Sequence, residues 1–191
     1  MKLFLFTLFI LSLNGVTQKI TAQNTDTVKP IEPPFSLNWG ESPDNTINWV
    51  NTNQLEMVRG KIQDGRTVIE VIGPFPNVEF DRIRFYFSNN TLTEVELQFI
   101  QTGNVSDEIE FSSLTSAIAI KTEIDNKIGT GILIKNEKGK HKDSEWNFVQ
   151  QIWTDEEHAI WLTIFSTKTP QKGSLSIVSL HYRWEKKLKN P

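Results

Sequence analysis

The chain has 191 residues, a formal net charge of −3 and no cysteine. The absence of cysteine excludes disulfide bonds, thiolate metal sites, a cysteine nucleophile and the lipid-anchor cysteine of a bacterial lipoprotein. Mild acidity with both signs interspersed argues against binding to nucleic acids or other polyanions. The length suits one ordinary domain with a real core.

The first 22 residues have the layout of a secretory signal peptide. Lys2 precedes an apolar run over residues 3–13, and the small residue Ala22 ends the polar stretch that follows. The run is too short for a membrane-spanning helix, which needs about 20 apolar residues. We therefore expect cleavage after about Ala22 and export to the periplasm or the extracellular space, without a membrane span. A secreted domain without disulfides is typical of a bacterial envelope protein.

Residues 23–34 are predicted to form a disordered linker, because Pro30, Pro33 and Pro34 stand among polar residues. A single α+β domain is expected over residues 35–187. Its first element is a short helix, for which Ser42 is the expected N-cap and Pro43 the first helical residue.

The next segments alternate between apolar and polar residues, which is typical of half-buried antiparallel strands. Asp64-Gly65 predicts a tight turn between the first two of them. The alternation also places Arg84 beside Glu94 or Glu96 in an exposed cross-strand pair. The predicted strands are residues 55–63, 66–72, 82–87 and 94–99.

The second half repeats this order of elements. Ser112 or Ser113 is the expected cap of a helix that ends before Gly129. The residues expected to form its buried stripe are Leu114, Ala117, Ile118 and Ile124. A short strand over 132–134 and a lysine-rich loop over 135–142 come next, and the predicted strands that follow are 146–154, 159–167 and 175–184.

This shared order predicts an α+β fold of two pseudo-repeats, over residues 35–105 and 106–187. Each half is a helix followed by an antiparallel meander. Together they are expected to form a largely antiparallel sheet with the helices on one face.

The hexapeptide LNWGES at residues 37–42, followed by a short helix and a meander, resembles small envelope domains with an α-β-β-β plan. Such domains include the BamE-like outer-membrane assembly proteins and, as a tandem pair, the β-lactamase inhibitor protein. The resemblance covers most of residues 35–186 in element order, and the disulfides common in the inhibitor family are missing here. It implies a binding or assembly role rather than catalysis, and no functional residue is carried over from it.

The residues that could support catalysis do not form a known motif, so no catalytic residue and no cofactor are predicted. None of the three histidines, His141, His158 and His181, lies in an HExxH motif, and no serine lies in a GxSxG motif. A triad assembled across the fold stays open as a less favoured hydrolase hypothesis, which activity screens with His181→Ala as a control would test. Glu94 and Glu96 could form an acid/base pair, but their alternation with core residues favours a solvated strand face.

Two polar segments have an ordinary structural interpretation. Asp155, Glu156, Glu157 and His158 offer possible metal ligands, but four polar residues between apolar strands first indicate a hairpin turn. The lysines of residues 135–142 alternate with acidic residues and indicate a solubilising loop rather than a lipid-binding site. No metal site is predicted.

The aromatic residues of the second half suggest a binding surface. If the loop between Thr154 and Ala159 closes a hairpin, Ile152 lies opposite Trp161, and one face of the sheet becomes rich in aromatic side chains. The partner-binding candidates are Trp146, Phe148, Trp161 and Phe165, joined by Arg84, Tyr86 and His181. This composition is typical of protein-binding hot spots.

Three interpretations stay open. The aromatic face binds another envelope protein, or it is covered by the rest of the chain and is ordinary core. Alternatively, the chain carries a small apolar or lipidic ligand between sheet and helices. The sequence does not decide the oligomeric state.

Overall fold

A computed structural model describes residues 30–61, 64–73, 75, 80–103, 107–170 and 173–185. The predicted signal peptide and its cleavage site lie outside these residues. This part of the chain is α+β, with two helices and one antiparallel sheet of eight strands in the order β1-β2-β3-β4-β8-β7-β6-β5. The elements are α1 (Pro43–Thr52), β1 (Glu56–Lys61), β2 (Thr67–Ile72), β3 (Arg82–Ser88), β4 (Thr91–Gly103), α2 (Asp107–Ile128), β5 (Ile132–His141), β6 (Ser144–Thr154), β7 (Ala159–Thr169) and β8 (Gly173–Arg183).

The strands follow the predicted period of two. In β3, Ile83, Phe85 and Phe87 are buried, whereas the residues between them are half-buried. The β3–β4 turn places Asn89 and Asn90 at positive φ, as a two-residue hairpin loop requires. Strands β4 and β8 are the central pair of the sheet, in which Glu94 to Gly103 pair with Arg183 to Ser174. This pairing joins strands β1 to β4 and strands β5 to β8 into one sheet.

We call the two sides of the sheet the inner and the outer face. The inner face carries most of the buried apolar residues of β3, β4, β7 and β8, and these form one apolar cluster with Val50 of α1 and with Ala117 and Ile124 of α2. Helix α2 packs against β4, β7 and β8. The outer face carries the alternate residues of the same strands. Among the described residues, no helix is long and apolar enough to cross a membrane.

The two helices were predicted with different success. Ser42 is the N-cap of α1 and Pro43 begins it, as expected, although the Ser42 hydroxyl makes no capping hydrogen bond. Helix α2 starts at Asp107, so the predicted start at Ser112 or Ser113 is wrong; the sequence Asp-Glu-Ile-Glu at residues 107–110 is itself favourable for a helix start. Gly129, at φ 111°, follows its last residue as predicted.

The predicted apolar stripe of α2 is partly wrong. Ala117 and Ile124 are buried, but Ile118 is 54% exposed, and the side chain of Leu114 lies outside the described part. Ile120 and Ile128 take part in the core instead. The spacing 117, 120, 124 and 128 follows one side of a helix, and Ile118 points away from it.

The lysine-rich loop predicted over residues 135–142 is wrong. Residues 135–141 belong to β5, an edge strand that runs from Ile132 to His141 and pairs with β6, and Lys142 lies in the turn that follows. The residues of β5 are exposed except for Gly139. Lysines on an edge strand hinder its pairing with strands of other chains. The lysine-rich segment can therefore keep the protein soluble although it is a strand and not a loop.

Packed structure begins before residue 35. Ile31 is 1% exposed, and its N–H donates to the Asp155 carboxylate at 2.8 Å. Its carbonyl accepts a hydrogen bond of 2.8 Å from the Trp39 indole, which stacks on His158 with a centroid distance of 5.4 Å. The segment 30–34 is therefore attached to the β6–β7 turn.

Candidate functional site

All seven predicted partner-binding residues lie on the outer face of the sheet. Strand pairing places Trp161 opposite His181, His181 opposite Glu96, and Glu96 opposite Arg84. Because β4 and β8 are neighbours, the aromatic residues of β6 and β7 and the charged residues of β3 and β4 share one continuous surface. The predicted pairing of Ile152 with Trp161 is confirmed.

The aromatic part of this surface lies on β6 and β7. Phe148 lies directly opposite Phe165, and Trp161 lies opposite Ile152. All four predicted rings are half-buried, so each keeps part of its surface accessible. The Lys135 ammonium of β5 lies 5.9 Å from the centre of the Phe148 ring and adds a positive charge at the edge.

Trp146 is positioned by a glycine on the edge strand. It lies opposite Gly139, and a Cβ built on that glycine would be 2.4 Å from the indole. Only a residue without a side chain lets the indole lie against β5 at this distance. The local sequence thus fixes the position of one of the four rings.

The charged part contains the carboxylates of Glu94 and Glu96, which the sequence predicted to lie on a solvated strand face. That expectation is wrong, because Glu94 is only 7% and Glu96 only 5% exposed. Neighbouring side chains cover them. Glu94 accepts from Arg66 at 2.8 Å, and Glu96 accepts from the Tyr86 hydroxyl at 2.6 Å.

His181 lies between the two carboxylates. Its Nδ1 is 2.8 Å from Glu94 Oε1, and its Nε2 is 3.5 Å from Glu96 Oε1. An imidazolium in this position would donate to both. Arg84 completes the network, with 3.3 Å to Glu96 and 2.5 Å to Glu70. The expected pair of Arg84 with Glu96 is confirmed, but the expectation that it is exposed is wrong, because Glu96 is buried.

The network sets the protonation of its members. Burial alone would raise the pKa of Glu94, but hydrogen bonds from His181 and Arg66 outweigh it and hold that pKa below its usual range. Burial and the hydrogen bond to Glu96 raise the pKa of Tyr86. At neutral pH Glu94 is therefore ionised and the Tyr86 hydroxyl stays a neutral donor.

One contact joins the aromatic and charged parts. The Trp161 indole N–H donates to Glu185 at 3.3 Å, and Glu185 pairs with Arg183 at 3.1 Å. Arg183 in turn lies 3.9 Å from Glu94. A ring that a partner would contact is thus connected to the ion-pair network.

The other sequence candidates have structural roles. Asp155 and His158 close the β6–β7 turn as predicted, with a hydrogen bond from Asp155 N–H to the His158 carbonyl at 3.1 Å. Burial would raise the pKa of Asp155, but the N–H groups of Ile31 and Glu157 lower it overall. Within the described chain, no cluster of three or more His, Cys, Asp or Glu side chains could hold a metal ion.

A separate cavity of about 630 Å³ lies between residues 30–35, α2 and the inner face of the sheet. Apolar residues form most of its wall, among them Leu97, Ile160 and Leu180. Tyr182 also lines it, and burial raises the pKa of Tyr182 to about 12. This volume is in the usual range for a small-molecule pocket.

Arg66, Glu70 and Arg183 belong to the outer-face network but were not predicted as site residues. Their proximity depends on the pairing of β2 with β3 and of β4 with β8. The period of two assigns each residue to a face, but it does not indicate which strands become neighbours.

Comparisons with protein-family models, curated proteins and solved structures found no match to this chain. The resemblance to BamE-like and β-lactamase-inhibitor-like domains stays a prediction from element order.

Proposed function

We propose that this chain is a non-enzymatic binding module that engages another protein through the outer face of its sheet. The observation that carries the proposal is the set of four half-exposed rings on two adjacent strands, Trp146, Phe148, Trp161 and Phe165. Tryptophan and arginine are the residue types that dominate binding energy at protein interfaces. A partner with an apolar patch would bury these rings and leave the charged network at the rim.

The proposal includes a duplicated fold with both helices on one side of the sheet. Its support is the order of elements, since a helix and four strands occur twice, and the pairing of the last strand of each set, β4 with β8. The buried residues of α1 and α2 also join the same apolar cluster. Such an arrangement leaves the outer face available for recognition.

The proposal also places the protein outside the cytoplasm, in the periplasm or extracellular space, where an envelope protein would be its partner. The support is the sequence of residues 1–22, with Lys2, the apolar run and Ala22. Mass spectrometry of the secreted or periplasmic chain should find an N-terminus at about Gln23. An N-terminus at Met1 in the exported fraction would contradict it.

Because the chain has no cysteine, single cysteines can direct a crosslinker to chosen positions. Thr163 lies on β7 between Trp161 and Phe165, whereas Ile118 is exposed on α2. We would attach a benzophenone to Thr163→Cys or to Ile118→Cys and irradiate each protein in envelope extract. Unlabelled protein, either wild type or the double variant Phe148→Ala and Trp161→Ala, then competes with the crosslink.

We expect a product specific to the Thr163 position that wild type suppresses about tenfold more effectively than the double variant, as loss of hot-spot side chains predicts. Circular dichroism checks that the double variant is folded. Identical products from both positions, or equal competition, would contradict the proposal. A product of twice the chain mass would identify a second copy as the partner.

The cavity under α2 supports a second candidate function, the transport of a small apolar or lipidic ligand. The specific observation is its wall of Leu97, Ile160 and Leu180 with the Tyr182 hydroxyl among them. Native mass spectrometry after gentle extraction should then show an adduct that is lost in an Ile120→Trp variant, which fills the cavity. Bare polypeptide from the wild type would count against this function.

A further inference from the structure

The inner face of the sheet becomes polar at its end far from the core. Strand pairing places Lys138 beside Asn147, Asn147 beside Ser166, and Ser166 beside Ser176, so these four residues form one row across β5 to β8. The adjacent row contains Lys140, Glu145, Lys168 and Ser174. Side chains of both rows line a cavity of about 510 Å³.

Among the described residues that line this cavity, three have a buried side-chain polar atom without a hydrogen-bond partner. These atoms are the Asn147 Oδ1, the Ser174 Oγ and the Ser176 Oγ. Ser176 is only 1% exposed. More than 90% of buried polar groups in proteins are paired, and each unpaired one costs about 1–3 kcal/mol of stability. A group of three around one cavity therefore indicates a bound molecule that completes them.

The charges of the cavity select an anion. Among the described residues that line it, three are lysines (Lys138, Lys140 and Lys168) and one is acidic, Glu145, whose carboxylate lies 3.5 Å from the Lys140 ammonium. The serine hydroxyls can donate to anionic oxygens in a space that the lysines make positive. The Asn147 Oδ1 can only accept, so the molecule also needs a hydroxyl or amide donor.

We propose that this cavity binds an anionic saccharide, meaning a sugar that carries a phosphate or a carboxylate. The residues that the proposal uses lie on the inner face, although Trp146 of the proposed protein-binding surface also lines the cavity. Phe148 and Trp161, the residues changed in the crosslinking test, do not line it, so either proposal can fail alone. A free sugar acid and the headgroup of a glycolipid present the same chemistry. The experiment compares both sources.

The test is a titration of the full chain, monitored by amide NMR shifts and by the thermal midpoint. The probes are glucose 1-phosphate, glucuronate and vesicles that contain a phosphorylated glycolipid, with neutral glucose and inorganic phosphate as controls. The variants are Ser176→Ala and Lys138→Gln, and Thr163→Ala on the outer face is the matched control.

We expect saturable binding of at least one anionic sugar, with shifts at the far ends of β5 to β8. Ser176→Ala should weaken it about tenfold, the contribution of one hydrogen bond to a charged group. The same variant should raise the thermal midpoint of the free protein, because it removes an unpaired buried hydroxyl. A serine with a purely structural role would show no loss of binding.

Three results would overturn the proposal. The first is no saturable binding of any anionic sugar or glycolipid. The second is inorganic phosphate binding as tightly as the sugar phosphate. The third is an unchanged affinity in Ser176→Ala and Lys138→Gln.

Discussion

Replacing Gly139 by alanine tests how the outer face holds Trp146. The added Cβ would lie 2.4 Å from the indole, whereas carbon atoms pack at about 3.5–4.0 Å, so the ring must move by about 1 Å or change rotamer. Overpacking of this kind costs about 1–3 kcal/mol. Because β5 is an edge strand and can yield, we expect Gly139→Ala to lower the free energy of unfolding by about 1–2 kcal/mol.

Gly60 offers a matched control. It also lies on an edge strand and on the outer face, opposite Val68, but its nearest atom to an added Cβ is 3.9 Å away. Gly60→Ala should therefore be neutral or stabilise the protein by about 0.4–1 kcal/mol, because alanine restricts the unfolded chain. Urea unfolding monitored by circular dichroism measures both free energies.

A third protein separates the clash from any backbone effect. In a Trp146→Ala background the Gly139→Ala change has no indole to displace, and its cost should disappear. Equal stability changes for Gly139→Ala and Gly60→Ala in the wild-type background would refute the reasoning. So would a cost of Gly139→Ala that persists without Trp146.

Three further predictions concern the ionisable groups. Asp155→Ala should lower the free energy of unfolding by about 1–3 kcal/mol, since its carboxylate accepts N–H groups from Ile31 and from its own turn; a urea midpoint equal to that of wild type would contradict this. The pKa of Glu94 is lowered, so its contribution to the free energy of unfolding is present above about pH 4.5 and is lost as the pH falls through the folded pKa. Arg66→Ala should shift this loss of stability to higher pH, which urea unfolding at several pH values would measure. The same loss of stability at low pH in the variant and in the wild type would contradict the network. The pKa of Tyr182 is raised to about 12, so its contribution to the free energy of unfolding is present below about pH 10 and is lost between about pH 10 and 12. Ultraviolet titration of the folded protein should show the Tyr182 phenolate only near pH 12. Ionisation of Tyr182 near pH 10 in the folded protein would disprove its burial.

Short-range pattern predicted much of the fold. The period of two in residues 82–99 and 146–167 gave the correct faces, and the four-residue turn at Asp155–His158 fixed the pairing of Ile152 with Trp161. Register follows from alternation and loop length, which are local properties. The start of α1 was equally local, since it depends on Ser42 and Pro43.

What the sequence did not reveal depends on long-range pairing. Glu94 and His181 are distant in the chain and meet only because β4 pairs with β8. Their burial under arginine side chains made the expectation of a solvated face wrong. The strand β5 was missed for another reason, since its lysines reflect an exposed edge rather than a loop.

Covalent footprinting with hydroxyl radicals, read by mass spectrometry, tests most directly whether the outer face is a recognition surface. We expect Trp146, Phe148, Trp161 and Phe165 to be modified in the isolated protein and protected in envelope extract. Ile118 should react equally in both, and Trp153, which is buried on the inner face, in neither. Four rings that react to the same extent with and without extract, or that resist modification in the isolated protein, would contradict the account.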